Sequence, residues 1–289
     1  MIELDVHAHL APINPARLSK LAGVHWREHE SVLQVDDHRV AIRALFEPRR
    51  LIDWMDSHEV LRALVSIPPP LYRQHLDPAR ALEWVTYLNE ELSQICAAHP
   101  DRFGALHYLP MEHPDTLSLL VQAGARHGVA GYTLAAGGHE AIVYSDPCYE
   151  PLWVMLNESA SFVFLHPGKC CDGRLSPFYL ENLLGNPYET GVAAAHLVMA
   201  GVLARHPKLR LCLAHAGGVF PAVVGRLQRG FDTARPGVDR SVERPRDAAR
   251  RFYVDSIAHD ASCLRMVNEV IGPGRVLFGS DWPFPMGAD

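Results

Sequence analysis

The chain lacks what would mark it as a membrane, secreted or nucleic-acid-binding protein. Its longest apolar stretch, Gly191 to Ala204, is 14 residues long and carries His196, whereas a helix that crosses a bilayer needs about 20. That stretch reads as a buried helix. No basic start followed by an apolar core opens the sequence, because Glu3 and Asp5 interrupt the first strand at once, so no secretory signal is expected. Cysteine is sparse: six in 289 residues, with only Cys170 and Cys171 adjacent and no paired CxxC spacing. This argues against a disulfide framework and a four-cysteine zinc site, and predicts reduced thiols in a cytoplasmic protein. An excess of basic charge is missing too. The 27 basic and 33 acidic residues give a formal net charge of -6 without long like-charge blocks, which leaves no footprint for nucleic acid. Internal repeats and low-complexity tracts are also absent.

What is present is an apolar content of 48%, enough to bury a large core, arranged as short β-branched runs that alternate with longer helical patterns. Strands are expected near Ile2 to Val6, Arg62 to Ile67, Phe103 to Leu109, Val129 to Leu134, Phe162 to Leu165, Leu209 to Ala214, Phe252 to Ile257 and Arg275 to Phe278. Helices are expected around Pro48 to His58, Asp77 to His99, Pro114 to His127, Pro147 to Ser159, Glu189 to His206, Phe220 to Thr233 and Ala261 to Ile271. Asp77-Pro78 and Asp146-Pro147 supply an N-cap followed by proline.

This alternation predicts parallel strands with crossover helices, an α/β chain whose eight units close into one (β/α)8 TIM barrel over residues 1–289. An insertion at about 11–46 is too long for an ordinary loop. It has a hairpin pattern, Ser31 to Val35 and then Arg39 to Ile42 across Asp36-Asp37, and predicts a small subdomain beside the active site. The segment Arg235 to Arg251, rich in Arg, Asp and Pro, reads as a solvated connection. Only eight residues follow Asp281, so a full eighth helix is not expected. Either the sequence is cut short or something else closes the seam.

The chemistry gathers where strands end. Asp5-Val6 runs into His7-Ala8-His9, strand five ends in His166, strand six in His215, and strand eight leads to Asp281. On an extended backbone the period of two sends His7 and His9 to one side. A lone HxH is weak, because buried histidines often only satisfy a carbonyl, but recurrence at strands five, six and eight makes the joint pattern strong. Imidazoles with a carboxylate favour a borderline divalent cation, Zn2+ first, with Mn2+, Fe2+ or Co2+ as alternatives. Such an ion brings the pKa of a bound water to about 7, and His215 is the best candidate for a partnering acid/base.

Asp5-Val6-His7-Ala8-His9, Leu165-His166-Pro167, Ala214-His215-Ala216-Gly217-Gly218 and Gly279-Ser280-Asp281-Trp282-Pro283 together resemble the amidohydrolase superfamily in its metal-dependent decarboxylase branch. The likeness runs from the first strand to the last and includes Asp172-Gly173-Arg174 and Gly225-Arg226. It implies a mononuclear centre ligated by His7, His9, His166 and Asp281, with His215 as acid/base and Asp281 a second candidate for proton shuttling. The absence of lysine from strand four agrees with one ion. The resemblance also implies that Arg39, from the insertion, and Arg226, lent by a neighbouring subunit of a homodimer, hold substrate carboxylates in bidentate fashion. For Arg226 the plain alternative is a charge exposed on a helix. An aromatic wall of Phe178, Tyr179 and Phe284 has tyrosine where the branch has tryptophan, and Leu33-Gln34-Val35-Asp36 stands where it has a lysine.

His58, His75, His99, His107, His113, His127, His139, His196, His206 and His259 are expected on surfaces and caps, and Cys170-Cys171 has no base spaced for redox work. Asp255 is open to two readings, a hydrogen bond to a ligand imidazole or a plain structural role. The expected activity is removal of CO2 from a small unsaturated or aromatic carboxylic acid. The rivals are hydrolysis of a lactone or amide on the same centre, and an inactive barrel kept as a binding protein.

Overall fold

The computed structural model describes residues 1–139, 142–170 and 172–287; Cys171, half of the adjacent cysteine pair, lies outside them. The described strands are β1 Ile2–His9, β2 Val24–Arg27, β3 Val32–Val35, β4 His38–Val40, β5 Val60–Ser66, β6 Phe103–Leu109, β7 Gly131–Ala136, β8 Phe162–Pro167, β9 Arg210–Leu213, β10 Tyr253–Asp255 and β11 Val276–Leu277. Strands β1 and β5 to β11 form one eight-stranded parallel sheet in sequential order. The seam between the last strand and β1 is closed by backbone bonds: Val6 N to Phe278 O at 2.9 Å, Asp281 N to His7 O at 2.7 Å and His9 N to Trp282 O at 2.9 Å. This is the expected TIM barrel.

Two layers of core hold it. A small interior cluster draws Val6, Leu64, Leu106, Phe164, Cys212 and Leu277 from different strands and plugs the barrel, while the large cluster fills the space between strands and helices. β7 contributes glycine to the plug at Gly131, where a Cβ would stand 2.2 Å from Phe162 O and 3.2 Å from the Leu106 side chain. The helix Pro78–Ala98 begins as its sequence demands, with the Asp77 carboxylate accepting from the amides of Ala79 and Arg80.

The insertion carries the expected hairpin, β3 to β4, with a third strand that the sequence pattern did not reveal: β2 pairs antiparallel with β3. Three other expectations need correction. The helix expected at Glu189 to His206 is two helices, Asn186–Met199 and Val202–Arg205, parted by Gly201 at φ +67°. The solvated connection before strand seven contains the helix Pro245–Ala249, whose Pro245, Ala248 and Ala249 are buried. Strand four begins at Gly131 and reaches Ala136, so Ala135 lies in register beside His166.

Candidate active site

β1 runs on through His9, and both of its histidines are fully buried. His166 arrives on β8 and Asp281 on the turn after β11. One ligand atom from each of His7, His9, His166 and Asp281 lies within 4.8 Å of all the others. His7 Nε2 is 3.1 Å from His9 Nε2, and Asp281 Oδ1 is 3.2 Å from the first and 3.3 Å from the second. Among the described residues this set fits a metal ion, and the far side of each ring shows why. His7 Nδ1 is 2.7 Å from Asp255 Oδ2 and His166 Nδ1 is 3.0 Å from Pro167 O, partners that can only accept, so both Nδ1 atoms carry the proton. Their Nε2 atoms face the common point. Ser66 Oγ, 3.1 Å from His9 Nδ1, steadies the third ring.

Electrostatics agree. Burial opposes charge on His7, yet the carboxylates of Asp281 and Asp255 outweigh it and lift the pKa to about 10. Burial lowers His9, and it holds His166 well below its ordinary value with help from the imidazoles around it. Asp281 is held well below the usual carboxylate range, chiefly by His7 and His215 acting against burial. Four buried side chains thus enclose a point that favours positive charge. Asp281 Oδ1 has no hydrogen-bond partner there.

His215 follows β9 and lines the same cavity, with Nε2 3.7 Å from Asp281 Oδ2 and with Nδ1 buried and unpartnered. The cavity holds about 1020 Å³ and is bounded by the site, the β3–β4 turn, the loop after β5 and the segment after β8. Phe284 stands over His9, ring centroids 5.4 Å apart, and Tyr179 lines the wall. Phe178 does not join that wall: at φ +59° its side chain turns outward and is 87% exposed. Arg39 is exposed and pairs with Glu30 at 3.2 Å, and Arg226 is exposed on the helix Phe220–Asp232. Neither lines the cavity of its own chain.

Several contributors escaped the sequence pattern. Arg73 binds the Asp36 carboxylate through Nε at 2.8 Å and Nη2 at 2.7 Å, locking the β3–β4 turn to the loop after β5. His38, His75 and His259 line the cavity, whereas His107 and His206 are buried elsewhere rather than exposed. The nearness of His38 to the hairpin turn is the one sequence signal that could have placed it.

The fold agrees with known proteins. Over 98% of its length the chain resembles 5-carboxyvanillate decarboxylase from Sphingomonas paucimobilis, covering 89% of that chain at 21% identity with a TM-score of 0.81. A dihydroxybenzoic acid decarboxylase from Polaromonas sp. JS666, solved with bound manganese and the inhibitor 2-nitroresorcinol, gives a TM-score of 0.78 at 21% identity, with 99% of this chain and 87% of that one covered. In sequence, the chain is 28% identical to 2-amino-3-carboxymuconate-6-semialdehyde decarboxylase of Dictyostelium discoideum, over 99% of this chain and 83% of the relative. The amidohydrolase family pattern matches residues 4–289, and the chain belongs to that family.

Proposed function

We propose that the protein is a metal-dependent carboxy-lyase that removes CO2 from a small unsaturated or aromatic carboxylic acid. The observation that carries this reading is the placement of His215, a proton-bearing group with a free ring nitrogen, beside a four-ligand metal site on one wall of a cavity large enough for a single-ring acid. The decarboxylases similar to it in sequence and in fold support it.

His7, His9, His166 and Asp281 hold the ion, and three imidazoles with one carboxylate suit Zn2+ first and Mn2+ as the alternative. When bound, the ion withdraws electron density from oxygens placed against it. Phe284 and Tyr179 sandwich the planar acid and shed water. His215 delivers a proton to the carbon that bears the carboxylate, the new C–H bond taking its electron pair from the adjoining C=C π system; the C–C bond to the carboxylate then breaks, its electron pair restores that π system, and CO2 departs. Asp281 Oδ2 steadies the proton on His215 before transfer.

Arg39 and Arg226 serve substrate carboxylates in a homodimer, Arg226 reaching the neighbouring subunit's cavity from its exposed helix. An apolar strip of Phe178, Leu183, Leu184 and Tyr188, all exposed, suits a second copy of the chain. The free thiols Cys96, Cys148, Cys212 and Cys263 fit a reducing, cytoplasmic setting. The test is a screen of carboxylated phenols and muconic semialdehydes on protein of measured metal content. Release of CO2 with loss of the carboxylate supports the reading, and ring opening of lactones without gas refutes it.

A further inference from the structure

We infer that Asp255 is a positioning residue that couples the metal site to the acid/base group, an inference that rests on the roles proposed for His7 and His215. It sits at the end of β10, fully buried, and its two oxygens take four hydrogen bonds. Oδ2 accepts from His7 Nδ1 at 2.7 Å and from the His215 amide at 2.9 Å. Oδ1 accepts from the amides of Ala216 at 2.8 Å and Ile257 at 3.1 Å.

One oxygen therefore serves both halves of the chemistry. By accepting from Nδ1 it fixes the tautomer of His7 that leaves Nε2 free for a metal. By accepting from the His215 amide it holds a turn in which His215 and Ala216 both stand at φ +53°, a left-handed conformation that non-glycine residues adopt at a cost. That turn aims the His215 ring into the cavity. The approach is built into the neighbouring backbone as well: a Cβ on Gly279 would lie 2.8 Å from Asp255 Cβ and 3.0 Å from His7 Cβ. Only the missing side chain lets Asp255 and His7 come together.

Asp255→Asn isolates the role, because the variant keeps shape and loses one acceptor. Whichever way the amide turns, its NH2 faces two N–H donors. Facing His7 and His215, it forces the His7 proton onto Nε2, where the metal belongs; facing Ala216 and Ile257, it breaks the turn. Affinity for Mn2+, measured by titration of the purified protein without substrate, should fall about 10- to 100-fold. At saturating Mn2+, kcat for CO2 release should fall at least tenfold with KM within twofold. A variant whose melting temperature drops while Mn2+ affinity and kcat stay within twofold of the parent overturns the inference and leaves Asp255 a structural residue.

If the variant does not fold, the native Zn2+-loaded protein decides by 15N NMR of its histidines. His7 must carry a slowly exchanging, strongly downfield proton on Nδ1, and a His7 unprotonated at that atom overturns the inference. The metal and NMR measurements need no substrate. Failure of the inference is thus separable from failure of the decarboxylase reading, which shows as no CO2 release from native, metal-loaded protein.

Discussion

Asp281 places Oδ2 3.7 Å from His215 Nε2 while its Oδ1 lies 3.2 Å from His7 Nε2. One carboxylate thereby stands between His7 of the candidate metal site and His215, the proposed proton donor. The two ends of that carboxylate face the two groups directly, and Asp255 joins the same pair from the far side of the His7 ring.

His215→Asn separates them. The variant removes the proton donor and leaves all four metal ligands in place, so metal content should match the parent while kcat falls about 100- to 10,000-fold, the usual contribution of a positioned acid or base. CO2 release at saturating substrate, with metal quantified in the same sample, checks it. Near-full activity would show that the proton comes from elsewhere.

Chelation should abolish turnover and lower the melting temperature, because a ligand that binds only the folded chain stabilises it, by about 2.7 kcal/mol at a hundred times its dissociation constant. The buried Nε2 atoms of His7 and His9 lie 3.1 Å apart, close enough for one ion to join them. Scanning calorimetry before and after chelation, followed by readdition of Zn2+ or Mn2+, measures both effects. Unchanged melting and unchanged turnover after complete metal removal would contradict the assignment.

The parts of this site legible in the sequence are those set by local geometry. His7 and His9 share a face because an extended backbone repeats every two residues, and His166 and Asp281 follow strand-like runs whose ends had to meet at one mouth of the barrel. What could not be read depends on long-range register or on single dihedral angles. The hydrogen bond of Asp255 to a ligand imidazole, one of its two expected readings, is borne out, but that His7 is the partner rests on register across 248 positions, as Ser66 meeting His9 does across 57. β2 went unread because it is only four residues long, too short a run for the alternation of Val24 and Trp26 with exposed His25 and Arg27 to stand out. Phe178 was expected in the wall, but its side chain is exposed while its neighbour Tyr179 lines the cavity.

Glu112 gives a pH signature away from the metal. Burial lifts its pKa from 4.5 to about 7, and neither carboxylate oxygen has a hydrogen-bond partner. Since the folded value exceeds the unfolded one, the stabilising share of this group is fully present below pH 4.5 and is lost as pH rises through 7. The shift corresponds to about 3 kcal/mol. Glu112→Gln never ionises, so its stability relative to the parent should increase from pH 5 to pH 8.5 in urea unfolding at fixed metal. An equal difference at both values would show that Glu112 titrates normally.

Arg73 predicts a change in binding rather than in chemistry. Its side chain is 5% exposed, is held by Asp36 and by Ala22 O at 3.0 Å, and lies over Trp84 at 5.4 Å. Arg73→Met leaves the partly exposed Asp36 with only His75, at 3.3 Å, beside its carboxylate, at a cost of about 1–3 kcal/mol in urea unfolding. The β3–β4 turn forms part of the cavity wall, so KM should rise several-fold while kcat and metal content hold. A fall in kcat alone would place Arg73 in the chemistry instead.

Arg226 tests the dimer. It is exposed on its helix and absent from the cavity of its own chain, so a role in binding requires a second subunit. Arg226→Met should lower kcat/KM at least tenfold with metal content unchanged. Subunit mixing makes the test specific. In a heterodimer of Arg226→Met with His215→Asn, the site on the first subunit keeps its own His215 and receives Arg226 from the second, so one site of the two is whole. Random exchange makes half the dimers mixed, and two inactive variants should together recover about a quarter of the parent activity. Recovery needs no new contact, only an arginine that crosses the interface. An Arg226→Met variant of full activity, or a fully active monomer by sedimentation, excludes the crossing, and low activity that mixing does not restore places Arg226 in service of its own chain.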